Sequence, residues 1–140
     1  MQEDLIERLR DDAELASLLG THSKLNRPMI DWGERPNDPA LPAIVAYVVS
    51  PGVTYDQEEP TELEGPRVQF SIIGKTYGQT ALVFRRLRKL IETGATVGNT
   101  KFDKAFLDAY RDLNPKDLPG GGKEFLASAD FIIWHRRAEP

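Results

Sequence analysis

Residues 124–137, EFLASADFIIWHRR, alternate Phe125, Ala127, Ala129, Phe131 and Ile133 against Leu126, Ser128, Asp130, Ile132 and Trp134. A period of two over so long a run belongs to extended backbone, where successive side chains point to opposite faces of a sheet. The chain therefore closes on a long strand, and that strand needs partners. RVQFSIIGK supplies one, with Val68, Phe70 and Ile72 on one face and Arg67, Gln69 and Ser71 on the other. A third, AIVAYVVS from Ala43 to Ser50, is bounded by Pro42 and Pro51 and is apolar on both faces, which predicts a central or doubly covered place.

The strand AIVAYVVS and the strand RVQFSIIGK read as an antiparallel hairpin with a long tip. That tip, PGVTYDQEEPTELEG, contains Asp56, Glu58, Glu59, Glu62 and Glu64 and no basic residue, which predicts a projecting acidic loop. Phe102 to Leu113 fits either a helix or a strand; a strand is preferred because the closing strand wants an antiparallel neighbour. NPKDLPGGGKE between them reads as turn chemistry throughout, with Gly120, Gly121 and Gly122 free to take positive φ.

Helical spacing appears twice. Leu5, Ile6, Leu9, Ala13, Ala16 and Leu19 form one amphipathic segment, with a break expected near Asp11 and a stop at Gly20. Ala81, Phe84, Leu87, Leu90 and Ile91 define a second helix over Gln79 to Glu92, carrying Arg85, Arg86, Arg88 and Lys89 on its other side. Between helix one and the first strand, Pro28, Pro36, Pro39 and Pro42 leave room for at most a short strand at Met29 to Trp32. The prediction is an α+β fold, a single domain over 1–140: a mostly antiparallel four-stranded sheet with two helical segments packed on it. The order is helix, strand, strand, helix, strand, strand.

The chain has 140 residues, no cysteine and a formal charge of −4. Without cysteine it has no disulfide, thiolate nucleophile or thiolate-bound zinc, which suits a reducing compartment. The acidic balance argues against broad, sequence-independent nucleic-acid binding, which needs a basic face. MQEDLIERLRDD is charged from its third residue, and no apolar run approaches a bilayer span, so the reading is of a chain made and used in the cytosol, away from membranes.

The inventory for catalysis is thin. His22 and His135 stand in no recognisable ligand or triad spacing, Asp103, Asp108 and Asp112 are interleaved with Lys101, Lys104 and Arg111, and the triple glycine lacks the residues of a phosphate loop. No catalytic, cofactor or metal residue is assigned. A small hydrolase or metal-dependent enzyme built on those histidines or aspartates is the competing reading. The residues that face partners are then Asp56, Glu58, Glu59, Glu62, Glu64, Arg85, Arg86, Arg88 and Trp134. Trp134 lies on the face opposite Phe131 and Ile133, where a helix or a neighbouring subunit would cover it.

Leu18-Leu19-Gly20 closing the first helical segment, the Pro-led LPAIVAYVVS, the passage RVQFSIIGKTYGQTALVFRRLRKLI and the closing SADFIIWHRR together resemble the tail-completion, or tail-terminator, family of long-tailed bacteriophages and related prophage or gene-transfer particles. The resemblance covers nearly the whole chain and rests on the order and spacing of segments. The acidic 51–65 connection and the Gly-rich 114–123 loop are longer than the family's usual hairpins. What the resemblance implies is a structural virion protein without a cofactor: a homo-hexameric ring on the head-proximal end of the tail tube. Its partners would be the tail tube protein and the head-tail connector proteins, with DNA passing the lumen unbound. It would be assembled in the host cytoplasm and reside in the virion neck. Another neck component, a head-tail adaptor or stopper, is the alternative within the same class.

Overall fold

The computed structural model describes residues 1–51, 53–56 and 59–138. Among these lie three helices, α1 (Gln2–Asp11), α2 (Ala13–Leu18) and α3 (Tyr77–Glu92). Eight strands accompany them: β1 (Ile30–Trp32), β2 (Ala43–Ser50), β3 (Val53–Asp56), β4 (Glu59–Glu64), β5 (Arg67–Gly74), β6 (Ala95–Val97), β7 (Thr100–Asp117) and β8 (Lys123–Arg137).

The expected four-stranded antiparallel sheet with two helical segments is therefore incorrect. The fold is mostly β: one mixed eight-stranded sheet with three helices, in which β1 runs parallel to β2. Strands β1 and β6 have three residues each, too few to display a period. Charge and proline in the acidic tip predict a loop; instead β3 and β4 pair with each other, Val53 opposite Glu64 and Asp56 opposite Glu59. A ribbon extension satisfies its backbone by pairing, without any need for a packed interior. Likewise Asn114 to Asp117, read as turn, continue β7, and only Leu118–Gly122 form the connection. Its three glycines sit at φ of 83°, 100° and 88°, a region open to glycine at no steric cost.

Strand β8 organises the sheet. β7 runs along one side of it from Asp117–Lys123 to Thr100–Arg137, and β5 and then β4 occupy the other side. β5 and β4 are successive lengths of one course interrupted at Gly65–Pro66, where the Ile133 amide still donates to the Pro66 carbonyl at 3.0 Å. The two long hairpins consequently project from opposite ends: β3–β4 beyond the close of β8, and the β7–β8 tip beyond the end of β5.

The helices share one face of the sheet. α1 buries Leu5, Ile6 and Leu9, and α3 buries Thr80, Val83, Leu87 and Ile91, positions that fall on one side of a 3.6-residue helix. They close on Ile44, Ala46, Val68, Phe70, Ile72, Ala127, Ala129, Phe131 and Ile133. Each large apolar side chain so buried contributes about 1.5–3 kcal/mol by transfer from water.

Asp12 separates α1 from α2. Its backbone is extended, its carboxylate accepts from the Leu15 amide at 2.9 Å, and Arg86 of α3 donates to it twice, at 2.9 and 2.7 Å. The predicted break is real but belongs to Asp12 rather than Asp11. At the other end of α3 the Arg8 guanidinium donates to the carbonyls of Leu90, at 2.6 Å, and of Thr93, adding to the Thr93 amide that also caps Leu90.

Candidate functional site

Among the described residues no helix packs on the second face of the sheet, and that face is polar at its centre. Tyr47 and Ser71 hydroxyls meet at 3.0 Å, and Gln69 donates to Ser128 at 2.9 Å. Arg67 bridges three strands, donating to Asp130 on β8 at 2.8 Å and pairing with Asp108 on β7 at 2.7 Å. The carboxylates hold the Arg67 pKa above its ordinary value, the Asp130 hydrogen bond first. Asp130 Oδ1 is buried with no hydrogen-bond partner among the described residues. Around this centre stand exposed Phe106 and Leu113, 53% and 42% accessible, each opposite an aliphatic residue of β8, Ile132 and Leu126.

The nine partner-facing candidates do not form one site. Asp56 ends β3, while Glu59, Glu62 and Glu64 lie in β4; Glu58 falls outside the described residues. Arg85, Arg86 and Arg88 are on α3, in the helical layer. Of these, Arg86 is engaged within the fold by Asp12 and by Glu14 at 3.0 Å, and Arg88 pairs with Glu92 one turn on at 2.7 Å. Only Arg85 is exposed without an ion-pair partner among the described residues. Trp134 is half-buried, its ring lying over Gly65, where an added Cβ would stand 2.7 Å from it.

The residues of the competing enzymatic reading are dispersed. His22 Nδ1 accepts the amides of Lys24 and Leu25, both at 3.1 Å, and shapes a turn. Beside it Asp38 is held ionised, its pKa lowered to about 2 by the Ser23 hydroxyl first and the Ala40 and Ser23 amides next. Asp103 faces Arg136 at 3.6 Å, Asp108 faces Arg67, and Asp112 accepts from Tyr77 at 3.0 Å and Tyr110 at 3.1 Å. Burial first, and Asp112 next, push the Tyr110 phenol up to about 12. Among the described residues no group of three His, Asp or Glu is placed to hold a metal ion. Nor is any helix among them long and apolar enough to cross a membrane.

His135 has a different setting. It is 8% exposed, on the helix-side face of β8, at the wall of a cleft of about 890 Å³ lined also by Met1, Asp4, Glu64, Thr100 and Arg137. Its Nε2 has no hydrogen-bond partner among the described residues and lies 3.8 Å from Glu64. Burial lowers its pKa from the ordinary 6.5; Glu64 opposes that shift and the Met1 amino group adds to it. The folded protein therefore binds this proton less tightly than the unfolded chain does, and stability rises with pH through the window. The contribution is complete above about 6.5 and is lost as pH falls from there through the folded value. Urea midpoints at pH 7.5 and 5.0 should fall further for the wild type than for His135→Gln; equal falls would remove His135 from the acid response.

Sequence reasoning missed the Arg67–Asp130–Asp108 bridge and the seating of Trp134 on Gly65. The alternation had already placed Arg67 and Asp130 among outward residues, but only the register of β5 on β8 brings them together.

No protein-family model matches the chain, and no curated protein does. Solved structures do. A protein of the virion of a native gene transfer agent particle superposes over 98% of this chain and 93% of its own, with a TM-score of 0.64 and 13% identity. A second solved protein, with no function in its name, superposes over 99% of this chain and 94% of its own, with a TM-score of 0.53 and 15% identity. At these identities the likeness is one of fold.

Proposed function

We propose that this chain is a structural protein of a phage-like particle, acting as the tail terminator: a closed ring, of six copies, that ends the tail tube and offers the surface joined by the head. The observation that carries this reading is the end-to-end fold correspondence with a gene transfer agent virion protein, a correspondence that leaves no domain-sized portion of either chain unaccounted for. The architecture suits such work. Three helices and a sheet bury a core on one side, while the exposed part of the other sheet face, around Phe106 and Leu113, and two hairpins projecting from opposite ends remain for neighbours. A ring subunit needs surfaces of this kind and no reaction centre. Carboxylates concentrated in one hairpin suit a particle through which DNA passes without adhering.

Light scattering should return a discrete particle near six times the 15.7 kDa subunit. A stable monomer at high micromolar concentration would overturn the ring. Particles made without this protein should carry overlong tails; tails of normal length lacking heads would instead assign it to the adaptor or stopper.

A further inference from the structure

Charge is distributed unevenly across one end of the sheet. Where β8 closes, the strands lie in the order β3, β4, β8, β7, β6. One margin is the β3–β4 hairpin, whose sequence from 53 to 64 holds five carboxylates and no lysine or arginine. The opposite margin is cationic. Lys101 and Arg136 are direct partners in the β7–β8 register and both are exposed. Like charges set opposite one another on a sheet face are unfavourable, and here little relieves them. Asp103 reaches Arg136 only at 3.6 Å, and Lys101 and Lys104 have no ion-pair partner among the described residues.

The same place is concave. A bulge between Phe102 and Ala105 shifts the register of β7 just where its pairing with β6 ends. The result is a notch of about 350 Å³ whose polar lining is Thr96, Lys101, Asp103 and Lys104, between Gly94, Ala95 and Phe102. Beyond Phe102 the outer side of β7 has no strand beside it among the described residues, so the notch opens on backbone donors and acceptors as well as on two lysines.

We propose that this lysine-rimmed notch at β6–β7 receives the acidic β3–β4 hairpin of a second copy. Because the two surfaces are opposite margins of one sheet, the contact is head-to-tail: each copy gives a hairpin to one neighbour and a notch to the other. Contacts of this heterologous kind repeat, and close into a ring when the rotation between copies divides a full turn. Nucleic acid is the less fitting occupant. The margin offers three cations with Asp103 among them, on a chain of net charge −4, so few counterions would be released from a polyanion. The proposal requires a second copy and to that extent rests on the ring reading.

The test is a charge exchange in the full-length protein. Lys101→Glu with Lys104→Glu reverses the notch; Asp56→Lys with Glu59→Lys and Glu62→Lys reverses the hairpin. With far-UV circular dichroism showing each variant folded, each alone should assemble at least about tenfold more weakly than wild type. An equimolar mixture should recover the wild-type particle, because a reversed notch then meets a reversed hairpin and alternation closes an even-numbered ring. Assembly of either variant at wild-type strength overturns the proposal, as does a mixture of folded variants that fails to recover. So does a notch variant that keeps its particle but loses binding to a short DNA duplex. If wild type itself is monomeric, the ring reading falls first; if wild type forms rings that ignore both reversals, only the notch falls.

Discussion

Phe131→Ala is expected to lower the free energy of unfolding by about 3–5 kcal/mol, read as a fall in the urea midpoint at unchanged slope. Phe131 is fully buried on the central strand and meets Phe70 edge-to-face, with ring centroids 5.8 Å apart. Its deletion would remove the ring's transfer energy, leave a cavity between sheet and helices, and break an aromatic pair that contributes about 0.5–1.5 kcal/mol beyond burial. Domains of this size are stable by about 5–15 kcal/mol, so a loss of this size removes a large share of the total stability. Phe131→Leu, which keeps most of the volume, should cost far less. A loss under about 1 kcal/mol for the alanine variant would mean that the interior collapses to fill the space, and that β8 is not the rigid centre assigned to it.

The second large effect concerns Gly65 and Trp134. The backbone at Gly65 is not in the left-handed region, so other residues could adopt it; the obstacle is the indole lying on it. Gly65→Val should cost about 1–3 kcal/mol through overpacking, since the ring must move or the β4–β5 course must bend. With Trp134→Ala already in place the same substitution should cost much less, and the double-mutant cycle should show coupling well above 0.5 kcal/mol, the level of noise for independent sites. Additive effects would show that the ring can swing away freely. The cycle also bears on assembly. Trp134 stands among the residues read as partner-facing, and a defect in Trp134→Ala particles reports on a subunit contact only after the loss of its seat on Gly65 has been measured.

Phe131 points into the helical layer and Trp134 away from it, and the outward side of β8 also holds Asp130, gripped by Arg67. Proximity to either hairpin makes this outward face a place where a neighbour's contact and the fold's own bracing share residues. Variants there need a stability measurement beside any assembly measurement.

Several elements could be read from the sequence because their side chains carry a period. The alternation through Phe125–Trp134 and Val68–Ile72, and the 3.6-residue spacing of Leu5, Ile6 and Leu9 and of Val83, Leu87 and Ile91, record which face of each element avoids water, so β8, β5, α1 and α3 were all legible. Preference for an extended Phe102–Leu113 was also correct, and it came from the need of β8 for a partner rather than from that segment's own pattern. Tertiary structure alone decided the rest. A three-residue strand such as β6 has no period and exists because a neighbouring backbone offers hydrogen bonds, whereas β1 was legible only as room for a short strand at Met29–Trp32; the β3–β4 segments, dense in carboxylates, read as a loop and become a ribbon because their backbones pair. The distribution of charges was likewise settled by register. The sequence by itself placed Arg86 among outward cations and Asp12 near a helix break, and only the packing of α3 against α1 and α2 turned them into an internal pair. Lys101 and Arg136, far apart in the chain, face each other because β7 and β8 align where they do, and pairwise interactions between distant residues are written in the alignment of elements, which no local pattern encodes.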